Sequence, residues 1–124
     1  MAKTVLFIED EAALQKSLGF ALNNEGYEVV SALDGEAGLS LARAQKPSLI
    51  ILDLILPKMD GFGVLENLKA GPETKDIPII ILTNLERMDD VERALALGAG
   101  TYLSKSSYSL DDLVEKVKKA LGDA

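Results

Sequence analysis

Cysteine and histidine are both missing from the 124 residues. Without cysteine there is no disulfide, no thiolate nucleophile and no zinc site built on sulfur, and the redox state of the compartment has no bearing on the fold. Without histidine there is no imidazole general base, no Ser-His or Cys-His pair, and none of the common transition-metal sites. No apolar run is long enough to span a bilayer. Met1-Ala2-Lys3-Thr4 leads directly into a strand pattern, with neither an apolar signal core nor an amphipathic, acid-poor presequence, so no membrane association and a cytoplasmic location are the default expectation. Positive charge is also scarce: 13 Lys and Arg stand against 20 Asp and Glu, a net charge of −7. That sign opposes a footprint on nucleic acid, and no direct nucleic-acid contact is expected. Lys116, Lys118 and Lys119 cluster near the end, where cations in the last turns of a helix complement its dipole. Carboxylate, lysine and hydroxyl chemistry remain.

What is present alternates between strand and helix patterns from end to end, without a repeat, a linker or a low-complexity segment, and is read as one domain over 1–124. Thr4-Val5-Leu6-Phe7-Ile8 is a first buried strand. Glu11 to about Asn24 carries Leu14, Leu18 and Leu22 at helical spacing, and Gly26 supplies the stop. Tyr27 to Ala32 mixes polar and apolar positions, as an edge strand does. A helix near Gly35 to Gln45 places Ala37, Leu41 and Ala44 on one face. Leu49 to Leu52 is an apolar run ending at a single carboxylate, Asp53, and a Pro/Asp/Gly turn at Pro57, Asp60 and Gly61 follows. A third helix buries Val64, Leu65 and Leu68. Asp76 to Thr83 is a fourth strand, with Pro78 near its beginning. A helix from roughly Arg87 to Leu97 turns Val91, Ala94 and Leu95 inward and ends at Gly98. Thr101 to Ser104 is a short fifth strand, and a last helix runs from about Leu110 to Leu121.

Five βα units with short loops predict an α/β fold, a doubly wound parallel sheet with helices on both faces. Five strands fit the flavodoxin-like order 2-1-3-4-5, written (βα)5, whose ligand crevice lies at the carboxyl ends of the strands. The polar residues there should converge: Glu9 and Asp10, Asp53, Thr83, and Lys105. Three gathered carboxylates repel one another unless a cation joins them. Oxygen ligands without His or Cys favour a hard ion, and an open crevice with few protein ligands suits Mg²⁺ shared with a phosphoryl group. A carboxylate nucleophile beside Mg²⁺, a lysine and a hydroxyl describes a site for making and breaking an aspartyl phosphate.

In order, spacing and placement on elements, these residues resemble the receiver domain of two-component response regulators. The features are Glu9-Asp10-Glu11, Asp53 with Pro57 and Asp60-Gly61, Thr83, and Tyr102 with Lys105, and they cover the whole chain. The resemblance implies that Asp53 accepts a phosphoryl group from a phosphohistidine on a sensor histidine kinase or phosphotransfer protein. It implies that Asp10, Asp53 and the backbone carbonyl of Ile55 bind Mg²⁺ directly, with Glu9 acting largely through water. Lys105 and Thr83 would hold phosphoryl oxygens. Movement of Thr83 would be coupled to the orientation of Tyr102 and would switch the surface of the fourth helix, fifth strand and fifth helix toward a downstream partner or a fused output domain. Such a domain is a phosphoacceptor, catalysing only its own phosphoryl transfer and dephosphorylation. A stand-alone regulator and a piece of a longer protein both stay open, as do a monomer and a phosphorylation-dependent dimer.

Two departures stand out. Ser106-Ser107 follows Lys105 where the family usually has proline in a cis bond, and Asn84 follows Thr83 where a small residue is usual. A non-proline cis bond costs about 2.5–4 kcal/mol, so a trans Lys105-Ser106 peptide is expected. Ile55 and Leu85, each two residues beyond a site residue, are expected to flank the crevice mouth. With Asn84 they would crowd the in-line water and slow self-dephosphorylation. The principal rival is a binding module that has lost regulated phosphorylation; retention of the acids, Thr83 and Lys105 argues against it. A flavodoxin would need a hydroxyl- and glycine-rich loop in place of Glu9-Asp10-Glu11. A haloacid-dehalogenase-type phosphatase would need an acid where Ile55 stands, and a P-loop enzyme would need a motif that is absent.

Overall fold

The computed structural model describes residues 3–56, 59–84, 88–106 and 108–123. Five strands, β1 (Thr4–Ile8), β2 (Glu28–Ala32), β3 (Leu49–Leu52), β4 (Ile79–Thr83) and β5 (Thr101–Ser104), alternate with five helices. These are α1 (Ala12–Asn24), α2 (Gly35–Gln45), α3 (Gly61–Ala70), α4 (Met88–Ala96) and α5 (Leu110–Ala120). All strand pairings are parallel, in the order β2-β1-β3-β4-β5. This is the doubly wound, flavodoxin-like arrangement expected.

The three central strands are buried on both faces, and their side chains alternate between two cores. Leu6, Ile8, Ile50, Leu52, Ile79 and Ile81 pack against α2, α3 and α4. Val5, Phe7, Leu49, Ile51, Ile80 and Leu82 point the other way, onto Leu18 and Leu22 of α1 and Leu113 and Val117 of α5.

Three differences from the sequence reading have physical causes. β4 begins at Ile79 rather than Asp76, because Ile77 N–H turns back to the carbonyl of Thr74 (3.1 Å) and Pro78 has no N–H to offer a ladder. The inward face of α2 is Gly35, Gly38, Leu39 and Ala42, with Ala37 and Leu41 flanking it and Ala44 exposed. A Cβ at Gly38 would stand 2.6 Å from Ile8 Cδ1, so the helix rolls its glycine side onto β1 to approach closely. On α4, Val91 and Ala94 are buried but Leu95 is exposed. Arg87, expected to open that helix, lies outside the described residues, as do Pro57, Leu85 and Ser107.

The loop from β3 to α3 is closed by the N–H of Gly61 donating to the carbonyl of Leu54 (2.9 Å), while the Asp60 side chain caps α3 by accepting from Gly63 N–H (3.0 Å). A Cβ at Gly61 would lie 2.2 Å from Leu54 Cα and 2.5 Å from the carbonyl oxygen of Asp53. Both are backbone atoms that cannot swing aside. Gly61→Ala is therefore expected to cost about 1–3 kcal/mol in urea unfolding, with the strain felt at Asp53 itself. An unchanged midpoint would show that the loop yields freely. Gly98, which ends α4, holds φ at 111°, a left-handed conformation that favours glycine.

Candidate functional site

Each acid or base of the crevice is aimed by the sheet, since the parallel ladder runs one residue past the strand ends. Glu9 N–H donates to Ala32 O, Asp53 N–H to Ile8 O, and Lys105 N–H to Thr83 O, each at 3.0 Å. The side chains of residues 9, 53 and 105 therefore start from fixed backbone at the ends of β1, β3 and β5 and meet above the sheet.

Their meeting point is the Lys105 ammonium. Nζ donates to Glu9 Oε1 (2.6 Å), Asp53 Oδ2 (2.9 Å) and Glu11 Oε1 (3.1 Å). All three of its protons are used on carboxylates. Glu9 is fully buried and Asp53 is 3% exposed, so this is a desolvated ion cluster rather than a surface pair. Burial works to lower the Lys105 pKa, but the hydrogen bonds to Glu9, Asp53 and Glu11 outweigh it and raise the value. Glu9 moves up to about 8, chiefly through burial and then through its closeness to Asp53, with Lys105 opposing. The crevice thus holds its own internal cation, where the sequence reading gave that role to a metal. Glu11, read only as part of an acidic run, turns out to be a third partner of the lysine.

The second oxygen of Asp53, Oδ1, accepts the N–H of Ile55 at 3.1 Å, which fixes the carboxylate plane. Ile55 itself is 56% exposed. Asp10 is exposed, yet a carboxylate oxygen from each of Glu9, Asp10 and Asp53 lies within 4.8 Å of the others. This all-oxygen set fits a hard divalent cation, and a further feature points the same way: Glu9 Oε2 is buried without a hydrogen-bond partner among the described residues. Thr83 Oγ1 is likewise buried and unpartnered there, so the hydroxyl is not used up on the strand end. Tyr102 is half-buried against the core on the α3 and α4 side. An open cleft of about 420 Å³ lies beside the cluster, with Glu11, Leu14, Ser17, Asn84, Lys105 and Ser106 on its walls. No peptide among the described residues is cis, Lys105-Ser106 included.

The family model of the response regulator receiver domain matches residues 5–118. The chain belongs to that family. Receiver domains bind Mg²⁺ at an acidic cluster and interact with histidine kinases or phosphotransfer proteins in two-component signalling. Among curated relatives, the DNA-binding dual master transcriptional regulator RpaA of Synechocystis is 37% identical over 117 residues, 94% of this chain and 48% of that protein. The chain thus spans about half the length of such relatives, which are named as regulators rather than enzymes. Among solved structures, a receiver domain protein from Methanospirillum hungatei superposes with a TM-score of 0.92 at 28% identity, covering 99% of this chain and 96% of that one. The receiver domain of the Pseudomonas aeruginosa sensor histidine kinase PA1611, described with a magnesium ion in its active-site cleft, gives 0.89 at 27% identity, covering 98% and 99%.

Proposed function

We propose that residues 1–124 form a receiver domain that takes a phosphoryl group onto Asp53 from a phosphohistidine donor. The observation carrying this is Asp53 itself, a buried carboxylate at the end of the central strand with one oxygen fixed by Ile55 N–H and the other by Lys105. In the transfer a carboxylate oxygen of Asp53 forms a bond to phosphorus as the phosphorus–nitrogen bond breaks, and the electron pair leaves with the imidazole. Lys105 is placed to pass from the carboxylates to the incoming phosphoryl oxygens, and the unpartnered hydroxyl of Thr83 to donate to another. Asp10, Asp53 and the carbonyl of Ile55 would hold Mg²⁺, with Glu9 acting largely through water. When bound, the ion supplies charge neutralisation for the acids and the phosphoryl oxygens.

Thr83 and Tyr102 form the switch, and the readout is the surface of α4, β5 and α5, where Leu95 and Leu110 are exposed. The partner there is a downstream protein or a fused output domain; the net charge of −7 argues that this domain makes no nucleic-acid contact of its own. Incubation with Mg²⁺ and a small acyl phosphate should add the mass of one phosphoryl group, and a chelator should prevent it. No gain in mass with Mg²⁺ present would overturn the proposal.

The raised pKa of Glu9 gives the metal a pH dependence. Burial and Asp53 resist the charging of Glu9 that a cation needs, so Mg²⁺ affinity is expected to climb between pH 6 and pH 8, by at most about tenfold per pH unit. In Glu9→Gln the climb should flatten. A parent affinity independent of pH over that range would mean Glu9 is already ionised.

A further inference from the structure

Gln15 lies in the second turn of α1 and is 8% exposed, a polar side chain in the core that the proposed reaction leaves unused. The two protons of its Nε2 are shared among three backbone carbonyls, Phe7 O (2.9 Å), Glu9 O (3.1 Å) and Ala32 O (3.1 Å). Those oxygens belong to the end of β1, the turn beyond it, and the end of β2. The arrangement also fixes which way the amide faces, since an oxygen in place of that nitrogen would meet three carbonyl oxygens. The other end, Oε1, is buried with no partner among the described residues. Stranding a carbonyl oxygen is unfavourable, and an apolar side chain of the same length would fill this volume without doing so. What the amide adds is donors.

The carbonyl of Glu9 belongs to the peptide joining Glu9 to Asp10. Gripping it sets the plane of that peptide, and with it the direction in which Asp10 leaves the backbone. On the far side, Gln15 N–H donates to Glu11 O (3.0 Å), so the three acids 9–11 are held from both ends by one residue. We propose that Gln15 is a positioning residue for the acid cluster, clamping the turn so that Glu9 stays against Lys105 while Asp10 faces the crevice. This rests on the Mg²⁺ reading of the site. Gln15 acts through the backbone and touches no reacting atom.

The test is calorimetric titration of Mg²⁺ into the parent, Gln15→Met, Gln15→Asn and Leu18→Ala, with urea unfolding of each. Met keeps the length without donors. Asn keeps an amide one methylene short, and serves if the Met variant does not fold. Leu18, fully buried one turn further along α1, controls for destabilisation alone. Gln15→Met should bind Mg²⁺ about tenfold more weakly, Gln15→Asn should fall between it and the parent, and Leu18→Ala should bind as the parent does although it is less stable. Parental affinity in both Gln15 variants, or equal weakening in Leu18→Ala, overturns the role of Gln15 and leaves the metal site standing. A parent that does not bind Mg²⁺ overturns the metal reading and this inference with it.

Discussion

Asp53→Asn is expected to abolish phosphoryl incorporation while leaving the fold in place. The amide is nearly the same shape as the carboxylate, so its Oδ1 still accepts the Ile55 N–H. What is lost is the nucleophile, because an amide oxygen in water does not attack phosphorus at a useful rate. Removing a negative charge from a cluster in which Glu9 already resists ionisation also relieves repulsion, and the Glu9 pKa should fall from its value of about 8. The amide Nδ2 takes the place of the oxygen that accepted from Lys105, so that bond is lost; relief of repulsion offsets the loss, and the urea midpoint should stay close to the parent's. Intact mass after exposure to a phosphodonor and Mg²⁺ provides the check. Labelling of Asp53→Asn to the parent's extent would place the acceptor elsewhere.

Lys105→Met should act in two opposite directions. The ammonium is the internal cation for Glu9, Asp53 and Glu11, and two of those acids are buried. Removing one partner of a buried ionic cluster typically costs about 3–5 kcal/mol, and a loss of that order is expected without Mg²⁺. The loss should be smaller at pH 6 than at pH 8. With the lysine gone the Glu9 pKa rises further, and a group whose folded pKa is raised contributes stability below its unfolded value that disappears as pH climbs through the folded one. Mg²⁺ affinity should meanwhile increase, because no ammonium competes for the acids. Phosphorylation should still slow, since the lysine no longer reaches the phosphoryl oxygens. Denaturant unfolding with and without Mg²⁺ at the two pH values separates these effects. Unchanged metal-free stability, or weakened Mg²⁺ binding, would contradict the idea that the lysine and the metal compete for the same carboxylates.

Much of this arrangement was legible in the residues. The apolar runs of β1, β3 and β4 announce strands buried on both faces, and five βα units leave few ways to order them. Once the order is known, Glu9, Asp53, Thr83 and Lys105 must sit at one end of neighbouring strands. The three-way pairing of Lys105 was harder to read. An ammonium on a four-carbon stem reaches several partners, and that Glu11 bends toward it from the start of α1 follows from the folded turn rather than from the spacing of residues. The face of α2 was misread because glycines carry no hydropathy, although Gly35 and Gly38 mark the close approach to the neighbouring loop and to β1. Gln15 was missed for a related reason. A glutamine on an amphipathic helix is ordinarily on the wet side, yet it stands three residues before Leu18 and seven before Leu22, in phase with the buried stripe. A polar residue in that register was the available signal.

The expectation of slow self-dephosphorylation rests on Ile55 and Leu85. Ile55 is exposed, whereas Leu85 lies outside the described residues. It remains a proposal, tested by acyl-phosphate decay in the parent and in an Ile55→Asn, Leu85→Glu double variant. Faster decay in the double variant supports it, and equal decay removes it.

The central claim is that one carboxylate, at Asp53, carries the phosphoryl group. Reducing the phosphorylated chain with borohydride converts an aspartyl phosphate to homoserine, and peptide mass mapping then reads the position directly. The account predicts homoserine at position 53 in the Mg²⁺-treated sample and none in a chelator-treated control. Homoserine at another acid, or phosphate surviving reduction on a serine or threonine, would contradict it.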